Sequence, residues 1–429
     1  MPQTNFAFGQ TGLTLNFPES LDYDLIESRS AKPLHDPHAA IAHALENPIA
    51  GPSLRSLASG KHSAAISVCD ITRPAPNRLT LPPILLRLNQ AGIPSERITI
   101  LIATGLHRAA TPAELDVILG PQIAAEYRII NHDARDLAAH RHLGSTRRGT
   151  PIYIDERFMA AELHITLGFI EQHLMLGFSG GRQLIAPGLA AEPTIKTIHS
   201  PRFMREPLAT EGSIERNPLH AELLEIAAAA RHDFLLDVTL TQSPQSQTME
   251  ISGVFAGSPV EAHAAGVDFL RQTSLEPVRA LADVVITSAA GHPLDLTLYQ
   301  TIKGITAAAH LAKSGGRILI LGECSEGAGS PEFTAMLRRF TGYEDLLAEL
   351  SNAPVQIDQW QLEKLALAGL NHDLFLFTPG VLATDLGALA ERTFDTPESA
   401  LRATLKDLPP NARIALIPEG PYVFARVSA

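Results

Sequence analysis

Short apolar runs alternate with amphipathic segments along the first part of the chain. The runs are typical of buried strands and lie at 64–69 (AAISVC), 97–105 (RITILIATG), 127–133 (YRIINHD) and 163–170 (LHITLGFI). Between them, residues 81–92 and 111–119 have the apolar spacing of helices. Strands that alternate with helices in this way predict βα units and a mainly parallel sheet.

The pattern starts again after a long predicted helix at 259–273. Its strands are predicted within 282–291 (ADVVITSAAG), 315–329 (GGRILILGECSEGAG) and 374–380 (LFLFTPG). We therefore predict two Rossmann-like α/β domains with mainly parallel sheets, at 1–275 and 276–406, with a boundary near 275. The last apolar run, at 413–427, is predicted to form strands that return to the first domain, so that 407–429 complete it.

Composition narrows the classes of function. The chain has 429 residues, of which 45% are hydrophobic and 19% charged, as in a globular protein with large cores. Its net charge of −12 argues against a nucleic-acid-binding surface, although a local basic pocket could still hold one small anion. Neither of its two cysteines belongs to a CxxC pair, which argues against a disulfide framework or a thiolate metal site. No run of 18 apolar residues and no signal-peptide pattern occurs. We therefore expect a cytoplasmic protein without membrane contact.

Polar clusters follow three of the predicted strands: DITRP, TGLHR and EQH…SGGRQ. In a parallel sheet, ligands bind outside the carboxyl ends of the strands. Arg73 could hold a carboxylate in a bidentate pair, and Asp70 could accept a hydrogen bond from a ribose or a water. An Asp–Arg pair that only fixes a turn is the alternative. His107 and His173 lie after two of these strands and have the side chain best suited to proton transfer near neutral pH.

The SGGRQ turn has two interpretations. Glycines allow backbone N–H groups to face an anion, and Arg182 could add a charged contact. An ordinary surface turn is the alternative, because neither GxxxxGK[ST] nor GxGxxG is present.

Three later segments carry further candidates. His199 in TIKTIHSP could bind a metal, although a lone histidine seldom does. In GHPLDLTLYQTIKGI, Tyr299 and Lys303 would share a helix face, with Gln300 beside them; an amphipathic helix with a solvated lysine is the alternative. The histidine-rich segment 131–144 matches no familiar zinc spacing, which favours a solvated surface segment.

Taken together, these stretches resemble the nickel-dependent lactate racemase family. The resemblance runs through seven motifs in the family's order: DITRPAP, ATGLHR, NHDA, GFIEQHLMLGFSGGRQLIAPG, TIKTIHS, GHPLDLTLYQTIKG and GGRILILGECSEG. They span roughly residues 60–330, and Trp360 in IDQWQLEKLALAG extends the match. Any one motif is modestly specific, but seven in order indicate the family.

The resemblance implies an isomerase that interconverts the stereoisomers of a 2-hydroxy acid. In this family the α-hydrogen moves as hydride to a nickel pincer nucleotide, a pyridinium-3,5-bisthiocarboxylic acid mononucleotide, and a 2-keto acid forms. The active site is expected in the cleft between the two domains. By resemblance, His199 is the nickel ligand, and His107 and His173 are the acid–base pair. The remaining matches are substrate-binding residues (Arg73, Lys303, Tyr299, Gln300, Trp360) and cofactor-binding residues (Asp70, Thr72, Ser179, Gly180, Gly181, Arg182, Gln183).

Gln183 departs from the family's pattern. Family members such as lactate racemase carry a lysine there that tethers the cofactor through a thioamide, whereas a carboxamide nitrogen is not nucleophilic. Three interpretations follow: a cofactor bound without a covalent link, an altered nucleotide or a tether at Lys196, or a relative that has lost racemase chemistry.

The sequence therefore predicts a 2-hydroxy-acid racemase or epimerase with a non-covalently bound nickel pincer nucleotide. Its partners would be a small 2-hydroxy acid and the cofactor-synthesis proteins that load it. GLHR in place of GTHR and EQH in place of EPH indicate an altered substrate pocket. A non-catalytic nucleotide or hydroxy-acid binding protein and a nicotinamide-dependent oxidoreductase are the alternatives.

Overall fold

A computed structural model describes residues 3–19, 21–242 and 248–427. Its strands are β1 (Gln3–Phe6), β2 (Leu13–Asn16), β3 (Asp22–Leu25), β4 (Ala64–Cys69), β5 (Ile98–Ala103), β6 (Arg128–Asn131), β7 (His140–Ser145), β8 (Pro151–Asp155), β9 (Leu163–Ile170), β10 (Gln172–His173), β11 (Gly177–Phe178), β12 (Phe234–Gln242), β13 (Met249–Gly257), β14 (Leu275–Val278), β15 (Ala282–Ser288), β16 (Ala312–Leu321), β17 (Asp373–Phe377), β18 (Arg413–Ile417) and β19 (Phe424–Val427).

The helices lie mostly between these strands, as the alternating pattern predicts. They are α1 (Pro37–Glu46), α2 (Leu54–Ala58), α3 (Asn77–Gln90), α4 (Pro112–Leu119), α5 (Pro121–Glu126), α6 (Glu156–Met159), α7 (Glu192–Ile198), α8 (Pro201–Met204), α9 (Pro218–Ala229), α10 (Pro259–Ser274), α11 (Leu298–Ala309), α12 (Pro331–Arg338), α13 (Tyr343–Asn352), α14 (Gln359–Asn371) and α15 (Pro397–Leu405). Among the described residues, none of these helices combines the length and apolarity needed to span a bilayer.

The chain divides into two compact units. The first unit comprises Ser30–Ile198 and Leu208–Thr273; the second comprises Met1–Arg29, His199–Pro207 and Ser274–Ala429.

The first unit is built on a six-stranded sheet in the order β13-β12-β9-β4-β5-β6. Its strands are parallel except for β13, which pairs antiparallel with β12. Every residue of β4 and β9 is buried, because helices cover both faces of a parallel sheet. Apolar side chains from α1, α3 and α4 join those of the strands in one core. The predicted mainly parallel α/β sheet is confirmed here.

The second unit is built on a five-stranded parallel sheet in the order β17-β16-β15-β18-β3. The α/β class is therefore confirmed for this unit as well. However, β18 pairs with β15 and β3, so the prediction that 407–429 return to the first domain is wrong. The prediction that the first domain includes the start of the chain is also wrong, because Met1–Arg29 belong to the second unit. The local sequence of a short apolar strand suits either sheet, and tertiary pairing decides which one it joins. Residues 428–429 of that predicted range lie outside the described residues.

Local sequence signals fix the helices that carry candidate residues. Thr111 and Glu114 form a reciprocal capping box that starts α4 shortly after His107. Thr297 accepts a hydrogen bond from the backbone N–H of Gln300 and starts α11, which carries Tyr299 and Lys303.

Candidate active site

Candidate side chains of the first unit follow three neighbouring strands. Asp70 comes directly after β4, His107 lies in the loop after β5, and His173 lies three residues beyond the end of β9. Since β9, β4 and β5 are adjacent and parallel, their carboxyl ends share one edge of the sheet. A hydrogen bond of 3.0 Å from the backbone N–H of Gly105 to the carbonyl oxygen of Gly188 joins the β5 loop to the chain beyond the SGGRQ turn.

Asp70 and His107 form a hydrogen-bonded pair. The distance from His107 Nδ1 to Asp70 Oδ2 is 2.7 Å, and the side chains are 55% and 6% exposed respectively. Burial alone would raise the pKa of Asp70, but hydrogen bonds from His107 and Thr72 and the charges of His107 and Arg73 outweigh burial and hold it below its ordinary value. An ionised carboxylate can only accept, so Nδ1 of His107 donates and Nε2 is the exposed nitrogen available to a ligand.

Thr72 and Arg73 complete this loop. Thr72 donates to Asp70 Oδ1 from its hydroxyl at 2.6 Å and from its backbone N–H at 3.2 Å. Arg73 is half-buried, and its backbone N–H donates to the carbonyl oxygen of Asp70 at 3.3 Å. The turn therefore fixes the carboxylate that orients His107, and Arg73 follows it within three residues.

His173 contacts the residue that departs from the family's pattern. Its Nδ1 accepts hydrogen bonds from the backbone N–H groups of Leu176 at 3.2 Å and Met175 at 3.4 Å. Its Nε2 lies 3.3 Å from the amide nitrogen of Gln183. Rotation of the amide can present either its nitrogen or its oxygen to the ring, so Gln183 can hydrogen-bond to Nε2 with or without a proton there.

The SGGR turn is packed against the sheet. Gly180 and Gly181 have φ angles of +83° and +50°, a region that favours glycine. A Cβ on Gly180 would lie 2.5 Å from Asp237 Oδ2, and one on Gly181 would lie 2.9 Å from Leu235 Cδ1. Ser179 donates from its hydroxyl to the carbonyl oxygen of Phe169 at 3.1 Å. Close packing on β12 therefore explains the glycines without reference to a ligand.

Arg182 differs from its predicted role. Its side chain is 2% exposed, so the guanidinium is not placed to make the expected charged contact with an anion. Its guanidinium instead donates to carbonyl oxygens of the same loop, at Leu176 (3.2 Å), Phe178 (2.7 Å), Ser179 (3.3 Å) and Gly180 (3.2 Å). A buried arginine needs such acceptors, and the sequence cannot show whether they come from a ligand or from the loop.

Asp237 is a residue of this region that the sequence reasoning missed. It is fully buried in β12, and burial raises its pKa to about 7, an effect that the backbone N–H of Gly181 and the charge of Arg182 reduce. A single aspartate inside the apolar run FLLDVTL was the signal that could have revealed it.

The second unit brings another set of candidates together. His199 follows the end of α7, and its ring lies 4.5 Å from the Trp360 ring, centroid to centroid. The indole Nε1 of Trp360 donates to the hydroxyl oxygen of Tyr299 at 3.0 Å. Three residues that are far apart in sequence therefore form one contiguous aromatic cluster.

Gln300 and Lys303 lie on α11 with Tyr299, as the predicted helix requires. Both side chains are half-buried. The Oε1 atom of Gln300 is buried without a hydrogen-bond partner among the described residues, which leaves one acceptor for a ligand.

The interpretation of 131–144 as a solvated surface segment is wrong in part. His132 is 2% exposed and His140 is half-buried, whereas His142 is exposed. His132 is buried because its backbone N–H donates to the carbonyl oxygen of Ile102 in β5 and its ring contacts Asp155 on β8. The polarity of the local sequence does not reveal such long-range partners.

Comparison with known proteins identifies the family. The family model for the lactate racemase N-terminal domain matches residues 8–212, and that for the lactate racemase C-terminal domain matches residues 278–425. The lactate racemase of Thermoanaerobacterium thermosaccharolyticum is 31% identical, and the match covers 99% of this chain and 100% of that protein. The lactate racemase of Lactiplantibacillus plantarum is 33% identical, with 90% of each chain covered.

Solved structures agree with the sequence matches. The lactate racemase apoprotein of T. thermosaccharolyticum superposes with a TM-score of 0.88 at 29% identity, covering 99% of this chain and 100% of that one. A protein of Thermotoga maritima shares the fold, with a TM-score of 0.67 at 16% identity, covering 93% of this chain and 100% of that one. Since a relative with 31% identity spans nearly the whole sequence, the chain belongs to the lactate racemase family.

Proposed function

We propose that the chain is a racemase or epimerase of a 2-hydroxy acid that works with a non-covalently bound nickel pincer nucleotide. Membership of the family supports the reaction class. The observation that supports it most directly is the exposed His107 held by the buried, ionised Asp70 at 2.7 Å. An imidazole oriented in this way can take a proton from a substrate hydroxyl and return it.

Each histidine has a proposed role in moving this proton. His107 would act through Nε2 on one stereoisomer, with Asp70 stabilising the imidazolium that forms. His173 would act on the other stereoisomer, because racemisation requires access to both faces of the substrate. Arg73 and Lys303 would hold the substrate carboxylate, a planar anion that an arginine binds in bidentate geometry.

The donor atoms present fit a nickel nucleotide that is coordinated but not tethered. When bound, the nucleotide supplies a hydride acceptor for the α-hydrogen of the substrate. His199 would be the nickel ligand, since imidazole suits this metal, and the Trp360 ring packs against it. The nucleotide site would include Thr72, Ser179, Gly180 and Gly181. Arg182 would stabilise this loop through its hydrogen bonds to the backbone carbonyl oxygens.

A covalent tether does not fit the residues present. The amide of Gln183 cannot react as the amine of a lysine does. Lys196, the other candidate for a tether, forms an ion pair with Glu192 at 2.6 Å on α7. Gln183 has a use of its own, since an amide can hydrogen-bond to His173 in either protonation state whereas an ammonium group can only donate.

The test uses the full chain produced with nickel and the cofactor-synthesis enzymes. α-Deuterated D-lactate in ordinary water is the first substrate, and chiral chromatography with mass detection follows the products. We expect L-lactate that retains the deuterium, because hydride transfer and return keep the label. Loss of the label to solvent would contradict hydride transfer. Net keto-acid formation with soluble NAD, or binding without turnover across a panel of 2-hydroxy acids, would overturn the proposal.

A further inference from the structure

Three side chains of the first unit converge away from the residues proposed for catalysis. His132 follows β6, His140 begins β7 and Asp155 ends β8. One ligand atom from each lies within 4.8 Å of the other two. The two imidazole rings meet edge to face, with centroids 5.0 Å apart and an interplanar angle of 86°.

The hydrogen bonds of His140 leave one buried nitrogen without a partner. Its Nδ1 lies 2.8 Å from the carbonyl oxygen of Asp136, and a carbonyl oxygen can only accept, so Nδ1 carries a hydrogen. In the neutral ring, the hydrogen on Nδ1 leaves the lone pair on Nε2. That Nε2 is buried and has no hydrogen-bond partner among the described residues.

The hydrogen bonds of His132 likewise leave a lone pair on one ring nitrogen of the neutral imidazole. Its Nε2 lies 3.1 Å from the carbonyl oxygen of Ala190 and must donate to it. In a neutral ring this leaves a lone pair on Nδ1, which faces Asp155 Oδ2 at 3.1 Å. Two acceptors at this distance repel each other unless a proton or another cation lies between them.

Asp155 is ionised at this position. Burial would raise its pKa, but the hydrogen bonds and the charge of Arg157 help to hold it below its usual range. Arg157 donates from Nε to Oδ1 at 2.8 Å and from its terminal nitrogen to Oδ2. The carboxylate oxygen Oδ2, which Arg157 also contacts, and two imidazole lone pairs make a cation-binding arrangement.

We propose that His132 Nδ1, His140 Nε2 and Asp155 Oδ2 bind a first-row divalent metal ion, for which Zn²⁺ is the representative. Two imidazoles and one carboxylate are an established zinc ligand set, with metal–ligand bonds of about 2.0–2.2 Å. Such bonds place tetrahedral ligand atoms about 3.3 Å apart, close to the 3.1 Å between His132 Nδ1 and Asp155 Oδ2. Each ring also donates its other N–H to a backbone carbonyl, as metal-bound histidines usually do.

The ion would have a structural role that is separate from the proposed nickel nucleotide. It would link β6, β7 and β8 and, through Ala190, the chain just beyond the SGGRQ turn. A doubly protonated His132 that bridges Asp155 and Ala190 is the competing account, and it requires no metal.

The experiment is a zinc titration of the full chain, purified without the nucleotide and treated with a chelator, by isothermal calorimetry. We expect about one equivalent to bind, and His140→Ala to weaken this binding at least about 100-fold. His142→Ala is the matched control, because His142 lies on the same strand but is exposed and stacks on Tyr153. His199→Ala should also bind normally, which separates this site from the proposed nickel ligand.

Equal zinc affinity in the original chain and in His140→Ala, or no binding by the original chain, would overturn the proposal. X-ray absorption of the zinc-loaded original chain gives a second readout that does not depend on any variant folding. Two imidazoles and an oxygen ligand are expected, and a shell without imidazole would overturn the proposal as well.

Discussion

Two histidine–aspartate pairs in the first unit share a geometry but differ in their surroundings. In both, an imidazole Nδ1 lies near an aspartate Oδ2, at 2.7 Å for His107–Asp70 and 3.1 Å for His132–Asp155. The His107 side chain is 55% exposed, whereas both side chains of the other pair are 0% exposed. The Nε2 atom of His107 can therefore reach a substrate, whereas Nε2 of His132 is hydrogen-bonded to the carbonyl oxygen of Ala190. The exposure of the imidazole, and not the presence of a histidine–aspartate pair, distinguishes a proton-transfer group from a structural one.

The largest expected effect is on catalysis at the exposed pair. His107→Ala should lower racemisation by the loaded enzyme about 10²–10⁴-fold, the usual contribution of a general acid–base group. Its melting temperature should stay close to that of the original chain, because the removed ring is exposed. His62→Ala, at another exposed histidine, is the control and should keep full activity. Undiminished activity in His107→Ala would remove this residue from the mechanism.

The next effect is on stability at the buried pair. Asp155→Asn should lower the free energy of unfolding by about 1–3 kcal/mol, because it leaves the half-buried guanidinium of Arg157 without its charged partner. Asp70→Asn, whose partner is exposed, should cost less than about 1 kcal/mol. Urea denaturation without added metal measures both. Similar losses in the two variants would contradict the distinction between the pairs.

A smaller effect is expected when the exposed pair loses only its charge. Asparagine at position 70 can still accept from His107 Nδ1, but it stabilises the imidazolium less. We expect kcat to fall roughly tenfold, equivalent to about 1.4 kcal/mol, with KM nearly unchanged. Steady-state kinetics with the loaded enzyme would show this split, and a change in KM alone would argue that Asp70 acts in substrate binding instead.

The smallest effect concerns pH and a buried aspartate without a histidine partner. Asp237 has a pKa of about 7 in the folded protein, above its ordinary value of 3.8, so the folded state holds the proton more tightly than the unfolded state. Stability is therefore lost as the pH rises from about 4 through 7. Asp237→Asn should gain a few degrees in melting temperature relative to the original chain between pH 5 and pH 8. A constant difference across this range would show that Asp237 is ionised throughout.

The sequence predicted the parts of the fold that depend on local pattern. The bounds of β4 and β9 agree with the predicted runs at 64–69 and 163–170, because uninterrupted apolar strands are recognisable without tertiary context. The sheet joined by 413–427 was predicted wrongly, since the choice of neighbour depends on long-range pairing.

The candidate site shows the same limit. The positions of Asp70 and His107 at adjacent strand ends were predictable, because strand order in parallel sheets places such loops together. The burial of Arg182 and of His132 was not, because their partners are backbone carbonyls and side chains supplied by packing.

The most direct test of the account is intact mass with nickel content, measured under native and denaturing conditions on the chain produced with nickel and the cofactor-synthesis enzymes. We expect nickel and a nucleotide mass on the native protein, both lost on denaturation, because Gln183 cannot form the covalent link. The Gln183→Lys variant, prepared in parallel, should acquire an adduct that survives denaturation. A nucleotide adduct that persists on the denatured original chain, or a native protein with neither nickel nor nucleotide, would contradict the account.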